Sequence, residues 1–134
     1  KRIGFLNEIV DNLGLKNVET IHGRAEEYAK QKEYRETYDL CVSRAVANLS
    51  TLCEYCMPYV KVGGRFVSYK SEKITEEAEK AKHAIFVLGG KSERQVEFTL
   101  PDSDIYRNIY IIQKEKITPK KYPRKAGLPS KEPL

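Results

Sequence analysis

One stretch constrains this chain more than any other: Tyr38-Asp39-Leu40-Cys41-Val42-Ser43-Arg44-Ala45-Val46-Ala47-Asn48-Leu49. It opens as an apolar run of strand length, short enough for a strand buried on both faces. Ser43 and Arg44 fall where that strand should end, and a helix follows from near Asn48 or Ser50. Such a handover belongs to an open α/β sheet, in which ligands sit outside the carboxyl ends of the strands. Arg44 is therefore placed either to contact a ligand or to pair with a carboxylate that steadies the turn.

The rest of the chain arranges itself around that unit. Ile3, Phe5, Leu6, Ile9, Val10 and Leu13 stripe one face of a helix, and Gly14 supplies its stop. Asn17 to His22 reads as a short strand, and Gly23-Arg24-Ala25-Glu26-Glu27 leads from its end into a short helix over 25–31. Beyond Arg44 the pattern predicts a helix over 50–60 with Ser50 as its N-cap, then a turn at Lys61-Val62-Gly63-Gly64 and a strand over 65–70. Lys70 repeats the position of Arg44 at a strand end, as a ligand contact or as an ordinary exposed lysine. A charged helix over 74–88 closes on Gly89-Gly90, and 93–100 with 105–114 reads as a β-hairpin. This order implies an α/β fold with a mainly parallel sheet ending in an antiparallel hairpin. Residues 1–115 form the domain, and 116–134 a basic tail whose four prolines oppose regular structure.

Composition narrows the function. A chain of 134 residues, 40% hydrophobic and 32% charged, is one globular domain or a piece of one. Its first residue is Lys, with a helical pattern already under way, which reads as a chain that enters partway into a fold. No apolar run reaches membrane-spanning length, and the first residues contain no signal-peptide core. Three cysteines without a secretory signal fit a reducing compartment. Cys53-Glu54-Tyr55-Cys56 has CxxC spacing, but both cysteines fall on a helical apolar stripe with no second CxxC, so buried helix positions and no metal are expected. Seven of the 24 basic residues and only two of the 19 acidic ones lie from Lys114 to Leu134, so the surplus of +5 sits wholly there. A concentrated positive segment suits a polyanion such as RNA; the alternative is a solvated tail that aids solubility.

Several local motifs occur together and in order: His22-Gly23-Arg24-Ala25-Glu26, Ser43-Arg44-Ala45-Val46-Ala47, Lys61-Val62-Gly63-Gly64, Ser103-Asp104-Ile105-Tyr106-Arg107-Asn108-Ile109, and Thr118-Pro119-Lys120-Lys121-Tyr122-Pro123-Arg124-Lys125-Ala126-Gly127. This set resembles the RsmG (GidB) family, bacterial methyltransferases that use S-adenosylmethionine to modify a guanine N7 in 16S ribosomal RNA. The resemblance implies the C-terminal part of a Rossmann-like class I methyltransferase. It implies a cofactor-binding role for Ala25, Glu26 and Arg44, and RNA contacts by Lys70, Arg107, Lys120, Lys121, Arg124 and Lys125. Its implied partner is 16S rRNA or the small ribosomal subunit, in the bacterial cytoplasm and with no membrane involved. No catalytic residue is implied, because guanine N7 already presents a lone pair and alignment of the reacting groups supplies much of the rate.

The family pattern also locates what is missing. The glycine-rich cofactor loop and the first two strands are expected before Lys1, so the fragment alone is expected to be inactive. Lys70 is followed by Ser71, where the family often has Gly or Ala. In the family fold the missing strands lie between the 17–22 strand and the central one. Without them those two strands are expected to pair directly, to exchange elements with a second copy through unpaired edges, or to pack poorly. Two other readings remain open from the residues: a non-catalytic RNA- or ribosome-binding module, and a nucleotide-dependent α/β enzyme of another kind.

Overall fold

The structure is a computed structural model that describes residues 1–44, 47–72 and 74–134, so Ala45 and Val46 of the central stretch lie outside the described residues. Four strands form one mixed sheet: β1 (Tyr38–Arg44), β2 (Val60–Lys70), β3 (Gly90–Thr99) and β4 (Tyr106–Lys114), in the order β1-β2-β4-β3. β1 runs parallel to β2, with Leu40 opposite Arg65 and Arg44 opposite Tyr69. β4 lies antiparallel to β2, and β3 completes the expected hairpin. β1 and β2 therefore end together at a carboxyl edge, while β4 ends at the opposite, amino edge.

Period-two alternation fixes which face is dry. On β2, Phe66, Ser68 and Lys70 are buried while Arg65 and Tyr69 are exposed; on β4, Asn108, Tyr110, Ile112 and Lys114 are buried. That face is covered by α3 (Leu49–Cys56), its 3-10 extension Met57–Tyr59, and α5 (Lys82–Val87), with α4 (Thr75–Lys80) packed on α3. Leu49, Leu52, Cys53, Met57, Phe66, Ile74, Ala84, Leu88 and Ile112 make the core. Asn48, not Ser50, caps α3: its Oδ1 accepts from the Thr51 N–H at 3.0 Å, and Ser50 lies inside the helix. The charged helix divides at the buried Ala81, whose flattened backbone (ψ −6°) re-aims Ala84, Ile85 and Leu88 onto the sheet. At its end Gly89 has φ +89°, and a Cβ there would meet the Lys116 carbonyl at 2.2 Å, so only glycine fits.

The other face and the outer edge of β1 differ from expectation. β1 is not buried on both faces: α3 covers the side carrying Cys41, while on the other side Leu40 is 55% and Val42 57% exposed. Residues 17–22 form no strand, and Val18 and Ile21 are exposed. An extended segment needs a strand to hydrogen-bond, and among the described residues none pairs with this one. α1 (Arg2–Asn12) forms as the pattern predicts but buries none of its residues. Direct pairing with β1 does not occur; poor packing is what the segment shows.

Residues after Lys114 pack back on the domain. Arg35, just before β1, donates to the carbonyls of Tyr122 (2.8 Å), Thr118 (2.9 Å) and Pro119 (3.1 Å). Thr118 N–H donates to Glu36 at 3.0 Å, and the Thr51 hydroxyl donates to the Pro129 carbonyl at 3.0 Å. Most of the segment is irregular, except α6 (Leu128–Lys131). No described helix is long and apolar enough to cross a membrane.

Candidate functional site

At the carboxyl edge the two basic residues that end neighbouring strands have different surroundings. Arg44 is exposed at the end of β1. Lys70, at the end of β2, is turned inward and only 7% exposed. Its Nζ donates to the Ala47 carbonyl at 2.7 Å and to Glu77 of α4 at 3.2 Å. This ammonium ties the strand end to Ala47 and to α4. Opposite Lys70 in register stands Asn108, which donates through Nδ2 to the Tyr106 hydroxyl at 3.0 Å while its buried Oδ1 has no partner among the described residues. A cavity of about 280 Å³ opens beside Lys70, lined by Ala47, Asn48, Ser71, Glu72 and Glu77.

A second cavity, about 420 Å³, lies along the bare side of β1. Ala25 at the start of α2 (Ala25–Tyr28) lines it with Tyr28, Tyr34, Tyr38 and Tyr59, and its walls follow β1 only as far as Val42. Arg44 thus stands beyond this cavity rather than in it. The Tyr59 hydroxyl donates to the Ala25 carbonyl at 2.6 Å, and burial pushes that phenol up to about 12. Glu26 is buried behind Ala25, where its carboxylate accepts from the Gly127 N–H at 3.1 Å. Of the three residues expected at a cofactor, one lines a cavity, one is exposed at a strand end, and one is held by the C-terminal segment.

The basic residues also separate. Lys120, Lys121 and Lys125 are exposed, and Arg107 is half-buried with its guanidinium on the Tyr106 carbonyl at 2.9 Å. Arg124 has an internal partner: its Nη2 lies 2.8 Å and its Nε 3.1 Å from the fully buried Glu54 carboxylate, which also accepts the Arg124 N–H at 2.7 Å. This fork of donors raises the Arg124 pKa above the usual arginine value. Glu54 lies within the CxxC segment, so the spacing that suggested metal marks a buried ion pair instead. Burial pushes the Cys53 thiol up, the character of an inert cysteine, and no metal-ligating cluster occurs among the described residues.

Sequence reading missed two further groups. Lys114 is fully buried, donating to the Met57 and Val60 carbonyls at 2.8 Å each and pairing with Glu36 at 3.1 Å. Its signal was there: alternation in β4 places Lys114 on the inward side with Asn108, Tyr110 and Ile112. Arg35, which holds three tail carbonyls, had no local signal.

Comparisons of sequence with known proteins agree on one family. The family model for rRNA small subunit methyltransferase G matches residues 1–106. The chain is 54% identical over all 134 residues to the ribosomal RNA small subunit methyltransferase G of Lachnoclostridium phytofermentans, covering 55% of that protein. It is 55% identical over the same span to the enzyme of that name from Clostridium novyi, again covering 55%. The chain thus spans about half the length of the curated relatives it matches. Among solved structures, an rRNA methylase from Streptococcus thermophilus superposes with a TM-score of 0.60 at 16% identity, covering 84% of this chain and 67% of that one. A SAM-dependent O-methyltransferase from Thermotoga maritima gives 0.52 at 14% identity, covering 87% and 48%. At these identities the two structures establish the Rossmann-like methyltransferase fold.

Proposed function

This chain belongs to the rRNA small subunit methyltransferase G family, and on that premise we propose that it supplies one wall of an S-adenosylmethionine site in an enzyme that methylates a guanine N7 of 16S ribosomal RNA. The observation that carries the reading is the 54% identity running through the whole chain to a protein so named. The geometry suits it. β1 and β2 end at one edge, where an α/β sheet receives its ligand, and the Arg44 guanidinium is exposed there.

The bound cofactor would supply an electrophilic methyl on a sulfonium centre. The residues of this chain bind and orient. Arg44 offers planar donors to the cofactor, and Ala25 a small side chain that lets an adenosine ring approach the backbone. Glu26 acts as a positioning residue, because its carboxylate is engaged by Gly127. Lys70 likewise positions, holding the Ala47 carbonyl ahead of α3. Arg107, Lys120, Lys121 and Lys125 would meet RNA phosphates, while Arg124 holds the tail through Glu54. Turnover belongs to the complete protein, in the bacterial cytoplasm, since the chain spans 55% of its relatives' length.

Titration of S-adenosylmethionine into the chain, followed by backbone amide NMR, tests the wall. Saturable shifts at Ala25, Glu26 and Arg44 are expected, with Arg44→Ala weakening them about tenfold, the worth of a hydrogen bond to a charged group. Scattered or non-saturating shifts would overturn it.

A further inference from the structure

The amino edge, opposite the edge where the cofactor would sit, gathers Lys30, Lys32, Phe86 and Ile117, which the methyltransferase reading does not use, around Lys120 and Lys121, which it does. Lys30, Lys32 and Lys120 line one cavity there together with Arg35 and Glu36. Arg35 adds a further positive charge, held by tail carbonyls, and Glu36, the acid in that lining, is already engaged by Lys114 and the Thr118 N–H. Lys121, next to Lys120, belongs to an adjoining cavity whose walls include Phe86 and Ile117. These two are among the barest large apolar side chains described, 75% and 71% exposed. Four other exposed lysines have acidic partners, Lys61 with Asp39, Lys80 with Glu76, Lys82 with Glu79 and Lys91 with Glu115, whereas Lys1, Lys16, Lys116, Lys125 and Lys131 are exposed without one among the described residues but line no shared cavity with Lys30 and Lys32. Among the described residues, Lys30, Lys32, Lys120 and Lys121 pair with none.

We propose that this amino edge is a second RNA-docking surface, separate from the reaction edge, in which Lys30, Lys32, Lys120 and Lys121 meet phosphates and Phe86 with Ile117 receives an unstacked base. The inference rests on the reading of the protein as an rRNA methyltransferase. The chemistry favours nucleic acid over an acidic protein. Ammonium groups on flexible stems match a line of phosphates, and an exposed aromatic ring beside them gives every base a face to stack on. Ligands of α/β sheets react at the carboxyl edge, so an amino-edge contact can hold substrate without touching the chemistry. β1 runs seven residues between the edges. At about 3.3 Å per residue the two surfaces lie roughly 20 Å apart. An RNA that engages both must therefore reach across the sheet, with one part at the reaction edge and another on these lysines.

The test uses the full 134-residue chain and a fluorescein-labelled RNA stem-loop, with affinity measured by anisotropy across a KCl series. One variant combines Lys30→Gln, Lys32→Gln, Lys120→Gln and Lys121→Gln. A second removes the same charge from paired lysines, with Lys61→Gln, Lys80→Gln, Lys82→Gln and Lys91→Gln. Each phosphate contact contributes about 0.7–0.9 to the log–log salt slope, so the first variant should flatten it by about 3 and the second by less than 1. Phe86→Ala should weaken binding about tenfold without changing the slope. Equal slopes in the two variants, or parental affinity in Phe86→Ala, would overturn the docking surface while the parent's RNA binding stands. A parent chain with no salt-dependent RNA affinity would overturn the docking surface and the RNA reading together. The cofactor titration then shows separately whether the methyltransferase site survives.

Discussion

The two faces of the sheet are made from the same strands and have opposite characters. Behind the inward face, α3 and α5 cover Phe66, Ser68, Tyr110 and Ile112, and the C-terminal segment is bonded along α3 through Thr51, Glu54 and the adjoining Arg35. On the outward face and along β1, Leu40, Val42 and Tyr69 remain exposed, and α1 buries nothing. Local pattern is equally strong in both regions: α1 is a clean amphipathic helix, and β1 a clean apolar strand. What differs is whether partner elements are present to cover them. Secondary structure can follow from local sequence, but burial follows from neighbours, and this chain has them on one side only.

The sharpest way to break that comparison is to cut the strap on the covered side. Arg124→Ala leaves the fully buried Glu54 carboxylate with only a backbone N–H, and losing one member of a buried pair costs about 3–5 kcal/mol. Urea denaturation should show that loss. A cost under about 1 kcal/mol would mean that the segment after Lys114 contributes little to the fold. Next in size is a matched pair of truncations. Leu52→Ala, in the core beneath the sheet, should cost about 2–5 kcal/mol, whereas Leu40→Ala on the bare side should stay within about 1 kcal/mol. Equal costs would show that the outward face is covered in solution.

The smallest effect sharpens the comparison through pH. Burial lowers the Lys114 pKa below its ordinary value, so through the window below that value the unfolded chain binds more protons than the folded one. Stability from this group therefore rises with pH through the window and levels off near an ordinary lysine pKa of about 10.4. Lys114→Met removes the titration and leaves two carbonyls without their donor, costing about 1–2 kcal/mol at neutral pH. The margin of the parent over the variant should widen as pH is raised toward about 10. A constant margin would show that the ammonium is not desolvated.

Much of this was legible in the residues. The Val42-Ser43-Arg44 strand end, the hairpin around Pro101-Asp102, the Gly89 stop and the burial of Cys53 (Cys56 is only half-buried) follow from period, turn chemistry and flanking glycine, all of which act over a few residues. The motif set also identified the family. Illegible were the assignments that depend on partners far along the chain. Lys70 and Arg124 look like free cations in sequence, yet one is held by Ala47 and Glu77 and the other by Glu54, 70 residues away. Val18-Glu19-Thr20-Ile21 has strand composition and forms no strand, because a lone extended segment has no ladder to join.

The amino-acid sequence by itself determined the order of elements, the family and the concentration of positive charge from Lys114 onward. Tertiary structure decided which charges remain available. It enclosed Lys70, Lys114 and Arg124 and left Arg44 at one edge with Lys30, Lys32, Lys120 and Lys121 at the other. The reason is physical: periodicity is local, whereas enclosing a charge requires a partner that only the folded path of the chain brings within reach.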